Sequence, residues 1–280
     1  MALTFASDIE FTKLLAQQTG INLVRLMLEF ATDAYDGIDA RHCLSEIDSL
    51  GDQASLRVAE LGPEASLRDK LRAVSLLLYD EEGFRGNRAD YYDPRNSYIN
   101  EVLSRREGIP ISLAIVYMAV AQRAGLPVYG ISAPGHFVLG CQAEGQTWYV
   151  DPFDQGEVLS QEACLRRLDR INGKRGSVRA SDLQPATKLE IAVRVLRNLK
   201  AAYAMRNHWQ GALPVQKRLT LLLPEMPDER RDLGLIYLRT GHVYRAIQLL
   251  EQYLTLCDCD HAEMVAPYLA TAKRMLAEMN

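Results

Sequence analysis

A chain of 280 residues, 48% hydrophobic and 24% charged, has the make-up of one or two ordinary globular domains that bury their own cores without staples. A net charge of −4 argues against a nucleic-acid binder, which as a rule carries a basic domain. No apolar run approaches the roughly 20 residues of a membrane span, and the start MALTFASDIEF lacks the basic and then apolar leader of a secretory signal, so a cytoplasmic location without a membrane partner is expected.

The five cysteines, Cys43, Cys141, Cys164, Cys257 and Cys259, are odd in number and scattered, as reduced thiols are. Cys257-Asp258-Cys259, followed by Asp260 and His261, is the one close cluster. A structural metal takes about four ligands and no second cluster accompanies it, so neither a metal nor another cofactor is expected.

In chain order, residues 21–30 have the spacing of an amphipathic helix. Residues 38–60 have it too, with Ile38, Cys43, Leu44, Ile47, Leu50 and Leu56 on one face. Gly62-Pro63 breaks that pattern, and Ser66 or Glu64 opens a helix running from Leu67 to Tyr79. Residues 81–108 are rich in Gly, Asn, Asp, Tyr and Arg and read as a long loop, with a turn at Asp93-Pro94 and a short helix from Tyr98 to Leu103. Two readings of the loop stand side by side. In one it is stapled by Tyr91, Tyr92 and Tyr98. In the other Arg95, Asn96 and Asn100, with Pro110, line a pocket.

Pro110 suits the first turn of a helix, where its missing N–H costs nothing. That helix runs to Ala124, and its Ala114, Ile115, Met118, Ala119 and Ala121 predict burial on most faces. Strands are expected at residues 128–132, at 136–140 with His136 on the strand, and at 148–150 ending on Asp151, the last two forming a hairpin around Gly145. A short helix spans residues 159–171, and the polar, basic, Gly-rich stretch 172–185 reads as a linker.

The last third repeats itself. Leu199, Tyr203 and Ala212 recur 34 residues later as Leu233, Tyr237 and Ala246, and Leu235 recurs once more as Leu269 before the sequence runs out. This resembles the tetratricopeptide repeat, a 34-residue helix pair, with a truncated third unit as cap. Lys200 and Pro214 depart from its usual pattern. The resemblance implies a surface for another protein.

The stretch from Gly108 to Asp151 resembles the papain-related, transglutaminase-like fold. There a Cys opens a buried helix, whose N-terminus lowers the thiol's pKa, and a sheet brings up His and Asp. The resemblance places the nucleophile fifteen residues before Gly125, where this chain has Pro110. His136 and Asp151, fifteen apart, match the other two members. Ser112 is the nearest substitute, but two residues on it stands about 200° around the helix. Its hydroxyl is expected to bond a backbone carbonyl in the first turns. Cys141, five residues from His136 on the expected strand, faces the other side.

The runs EGFRGN, YYDPRNSYIN, GIPISL, PGHF and DPF, followed by the helical repeats, resemble the SirB family of bacterial proteins across nearly the whole chain. The resemblance implies an α+β transglutaminase-like domain over residues 1–185, with a helical lead-in (1–80), a core (81–171) and the linker. Tetratricopeptide-like helices follow over 186–280. It carries over no reaction and implies that the GIP start, without a Cys, is shared by members. The expected function is a non-catalytic binding, scaffold or regulatory module. The alternative is a hydrolase or acyltransferase using His136 and Asp151 with Ser112 or a water as nucleophile. A DNA-contacting regulator is disfavoured by the acidic balance.

Overall fold

The computed structural model describes residues 5–143, 145–256 and 259–279. The chain forms two compact units, Met1–Val195 and Leu196–Asn280.

The first unit opens with α1 (Ile9–Leu15), α2 (Leu23–Ala31) and α3 (Ala40–Glu60). Their ends are closed by side chains, as helix termini require. Glu29 accepts the Glu10 and Phe11 amides at the start of α1, Asn22 caps α2 through the Arg25 amide, and Asp39 caps α3 through that of His42. Ser66 caps α4 (Leu67–Ser75). The helix expected to continue to Tyr79 loosens instead into a π turn, Leu76–Glu81, whose wider winding carries Leu77, Leu78 and Tyr79 inward one after another.

The loop that follows is tied to the chain ahead of the next long helix. Residues Arg85–Gly86 (β1) pair in parallel with Glu107–Gly108 (β2), on either side of α5 (Ile99–Arg105). Arg106 ends α5 in the left-handed conformation at φ +57°, and its guanidinium is held by Glu46, Glu82 and the Phe84 ring. The two paired glycines are required by close approach. A Cβ on Gly86 would lie 2.5 Å from the Phe153 ring, and one on Gly108 2.6 Å from Ser112 Oγ. The GFRGN and GIP runs are therefore two sides of one backbone clasp around the start of α6 (Pro110–Arg123).

Helix α6 is buried on nearly every face, as its small and apolar residues predict. It ends before Gly125, whose φ of +77° suits the helix exit. Four antiparallel strands lie in chain order: β3 (Val128–Ile131), β4 (Val138–Ala143), β5 (Gln146–Asp151) and β6 (Glu157–Leu159). The β4–β5 hairpin pairs Leu139 with Val150 and Cys141 with Trp148. Helix α7 (Gln161–Ile171) covers one sheet face with Cys164 and Leu168.

Residues 172–185 do not run free as a linker. Val178 and Leu183 join the core beneath α7 with Ile131, Val138 and Tyr149. The Asp169 carboxylate gathers the turn by accepting the Gly176 and Val178 amides and the Ser177 hydroxyl. Two apolar side chains and one carboxylate suffice to pin an otherwise polar stretch.

The division between units falls inside α8 (Lys188–Met205). The second unit continues with α9 (Trp209–Leu222), α10 (Pro227–Arg239), α11 (Val243–Leu256) and α12 (Cys259–Met279). The 34-residue repeat appears as repeated contacts. Tyr203 packs on His208 with ring centres 5.3 Å apart, and Tyr237 on His242 at 5.4 Å. Ala212 and Ala246 are both fully buried. Pro214 sits within α9 without ending it. Between the helices, buried Glu229 accepts from Arg197, Lys200 and Gln216.

Candidate functional site around His136 and Asp151

His136 stands just ahead of β4, not on a strand as its sequence context suggests. Ala133-Pro134-Gly135 turns the chain there, with Gly135 at φ +70° and the His136 amide donating to Ala133 O. Pro134 and Gly135 favour a turn over continued pairing, so β4 starts at Val138. The turn is clamped by Arg194 from α8, which donates to Ser132 Oγ and to the carbonyls of Ala133 and His136 at 2.9–3.0 Å.

Asp151 closes β5. Its Oδ1 lies 2.9 Å from His136 Nε2 and accepts the Phe153 amide at 3.1 Å, while Oδ2 accepts from Arg167 at 3.2 Å. Asp151 is 1% exposed and His136 6%. Burial pushes the Asp151 carboxyl up, but the His136 hydrogen bond and the Arg167 charge outweigh it and hold the pKa below the ordinary carboxylate value. Arg167 in turn binds Asp154 and Glu157. An ionised Asp151 accepts only, so Nε2 carries the imidazole proton and Nδ1 is left as the basic atom. No hydrogen bond engages Nδ1 among the described residues.

Position 110 is filled by buried Pro110 at the first turn of α6. Ser112 is 1% exposed and turned to the helix entrance. Its Oγ accepts the Ile109 amide at 3.1 Å and lies 2.5 Å from Asn96 O and 3.1 Å from Ile109 O. The cysteines are poorly disposed as nucleophiles. Cys141 and Cys164 are buried, and burial pushes their pKa values up to about 11 and about 12. Cys257, with its neighbours Cys259, Asp260 and His261, lies outside the residues whose side chains are described. Among the described residues no group of three or more His, Cys, Asp or Glu is placed to hold a metal ion.

The loop residues take different roles. Asn96 is fully buried and brackets the loop, donating to the carbonyls of Asp90 and Tyr91 and accepting from Asn87. Arg95 turns back onto Asp93 at 2.6 Å. Asn100 on α5 keeps a buried Oδ1 without a hydrogen-bond partner. Tyr98 is buried against Tyr35, with ring centres 5.3 Å apart. Tyr91 remains 38% exposed and packs edge-on against Phe153, which packs edge-on against His136.

The structure thus brings His136 and Asp151 together and assigns Ser112 to the helix entrance. It adds Arg167, Arg194 and Phe153, none of which the sequence singled out, and brings in Tyr91, which the sequence offered only as a staple of the loop. Arg167 lies three residues beyond buried Cys164 and Arg194 three beyond buried Ile191, so helical spacing could have placed both on inward faces. We expect Ser112→Ala to lower stability by about 2 kcal/mol, because the Ile109 amide and the Asn96 carbonyl lose a buried partner. Urea denaturation of the purified chain measures this, and an unchanged midpoint would contradict the role.

Two family models match this chain. Residues 41–197 match the transglutaminase-like superfamily, and residues 199–277 match the tetratricopeptide repeat. A UPF0162 protein of Xylella fastidiosa (strain Temecula1) is 36% identical over 251 residues, which covers 88% of each chain. The chain belongs to the UPF0162 family of transglutaminase-like proteins. This is the SirB-type family that its motifs resemble. Mouse F-box only protein 21 is 36% identical to this UPF0162 chain over 166 residues, covering 56% of it and 25% of the mouse protein. Menin aligns with 88% of this chain and 68% of its own at 11% identity and a TM-score of 0.41, too low to carry an argument. Among the described residues no helix is long and apolar enough to cross a membrane.

Proposed function

We infer that this UPF0162 protein is a cytoplasmic binding or scaffold module without acyl-transfer activity. Residues 1–185 present the His136–Asp151 face and residues 186–280 a surface for a protein partner. The observation that carries the reading is the state of the α6 entrance. Proline occupies the position that the resemblance gives to the nucleophile, and the Ser112 hydroxyl two residues on is engaged with Asn96 and Ile109. Nucleophilic catalysis needs an activated atom within hydrogen-bond reach of its base, and Ser112 has its bonds elsewhere.

The test is exposure of the full-length protein to a fluorophosphonate probe, read by intact mass. No adduct is expected. An adduct lost in both Ser112→Ala and His136→Ala would overturn the reading. The unengaged Nδ1 of His136 favours one rival, a hydrolase in which that nitrogen activates water. Ester hydrolysis above the free-imidazole rate, abolished by His136→Ala, would establish it.

For the second unit the supporting feature is a groove of about 350 Å³ lined by Lys200, Trp209, Leu235, Leu238, Arg239 and Tyr268. Tetratricopeptide repeats generally serve protein–protein contacts, and an exposed aromatic beside apolar and cationic groups suits such a contact. Tyr268→Ala in the full chain should weaken capture of any partner at least ten-fold. Capture indifferent to Tyr268→Ala and Arg239→Ala would remove the groove from the account.

A further inference from the structure

Among the described residues Arg194 is a cation without a counter-charge. It is half-buried, and burial lowers its pKa. Of the five N–H groups of a guanidinium, three are directed at neutral acceptors, namely Ser132 Oγ and the carbonyls of Ala133 and His136. The other two have no acceptor among the described residues.

The carboxylates near this face are already engaged. Asp151 holds His136 and Arg167, Asp154 holds Arg88 and Arg167, and Glu157 holds Arg167. A partly desolvated charge with no opposite charge is costly to maintain, and a bound anion is one way to offset that cost. Burial raises the pKa of the Tyr91 hydroxyl and the Arg194 charge lowers it, so the two lie within electrostatic reach of each other. The Phe153 ring joins Tyr91 to the His136 ring.

We propose that the His136 face binds a carboxylate-bearing ligand, whose anionic group is held by Arg194 and the Tyr91 hydroxyl and whose adjoining atoms lie against Phe153 and His136. One unbalanced guanidinium matches a single negative charge, and its planar fork matches a carboxylate. A phosphate dianion calls for more cationic charge than the site holds, since Arg88 is paired with Asp154 and stacked on Phe153. The proposal rests on the reading of this face as a binding site and adds the ligand's chemistry. Its readout is independent of covalent labelling, so the two can fail separately.

The experiment uses the full-length protein with ¹⁵N-labelled histidine. The His136 imidazole signal is assigned by its loss in His136→Ala, and titrations are run at constant ionic strength. N-Acetylglycine is expected to shift that signal saturably, whereas N-acetylglycinamide, which lacks the carboxylate, is not. Affinity should fall at least ten-fold in Arg194→Lys, which keeps the charge and loses the fork. It should fall several-fold in Tyr91→Phe, which removes the hydroxyl and keeps the ring that packs on Phe153. Arg166→Gln, at an exposed surface position, should change nothing. No saturable shift, equal response to the amide, tighter binding of inorganic phosphate, or indifference to both Tyr91→Phe and Arg194→Lys would each overturn the proposal.

Discussion

Asp151→Ala is expected to cost the first unit about 3–5 kcal/mol, the typical penalty for removing one partner of a buried charge pair. The carboxylate is 1% exposed and is the acceptor for His136, the Phe153 amide and Arg167 at once. Without it the Arg167 charge keeps, among the described residues, Asp154 and Glu157, which are half-exposed and well screened. Asp154→Ala, which removes one of those surface partners, should cost less than about 1 kcal/mol. Urea denaturation followed by circular dichroism separates the two, and equal effects would contradict the central place given to Asp151.

The same carboxylate sets a pH dependence. Its folded pKa lies below its unfolded one, so the unfolded chain binds the proton more readily. The stabilisation is therefore present above the ordinary carboxylate value and is lost as pH falls through the lowered folded value. Asp151→Asn should remove that acid step, and a wild-type acid step surviving in the variant would assign it elsewhere.

In the second unit Glu229→Ala is expected to have an effect of similar size, about 3 kcal/mol. Glu229 is 4% exposed and draws together Arg197, Lys200 and Gln216. Its pKa is lowered because these donors outweigh burial, which alone would raise it. Removing it leaves the Gln216 amide and the Lys200 ammonium short of an acceptor inside the helix stack. Thermal unfolding measures the loss, and Glu225→Ala on the exposed turn provides the contrast. A melting point unmoved by Glu229→Ala would show that the network does not hold the repeat together.

Much of this was legible in the sequence because two periodicities and one spacing carry it. The 3.6-residue period places α2 and α3, and the 34-residue period returns as the paired Tyr–His contacts of the second unit. The fifteen-residue separation of His136 and Asp151 anticipates a hairpin that brings them to 2.9 Å.

The features that escaped are those with no period. A two-residue parallel bridge between Arg85–Gly86 and Glu107–Gly108 is too short to leave a pattern. The π turn at Leu76–Glu81 breaks a helix without a Pro or Gly to announce it. His136 reads as a strand residue because apolar residues follow it, yet Pro134 and Gly135 delay the pairing to Val138. In the polar stretch 172–185 only Val178 and Leu183 hint at anchoring, and two apolar residues are too few to read as a core segment. Arg167 and Arg194 lie among many surface arginines, and composition alone does not distinguish an inward one.

The central claim is that proline stands at the start of α6 where the resemblance puts a nucleophile, and we propose that the His136–Asp151 pair faces that position. Site-resolved alkylation of a Pro110→Cys variant tests this most directly, by following iodoacetamide uptake peptide by peptide between pH 5 and 9. The account predicts that the thiol at position 110 reacts near neutral pH at least ten-fold faster than Cys43, Cys141 or Cys164, all of which burial pushes up. It also predicts that most of the advantage disappears when His136→Ala is added. A thiol at position 110 in a folded variant that reacts no faster than those three, or whose rate ignores His136, would contradict the account.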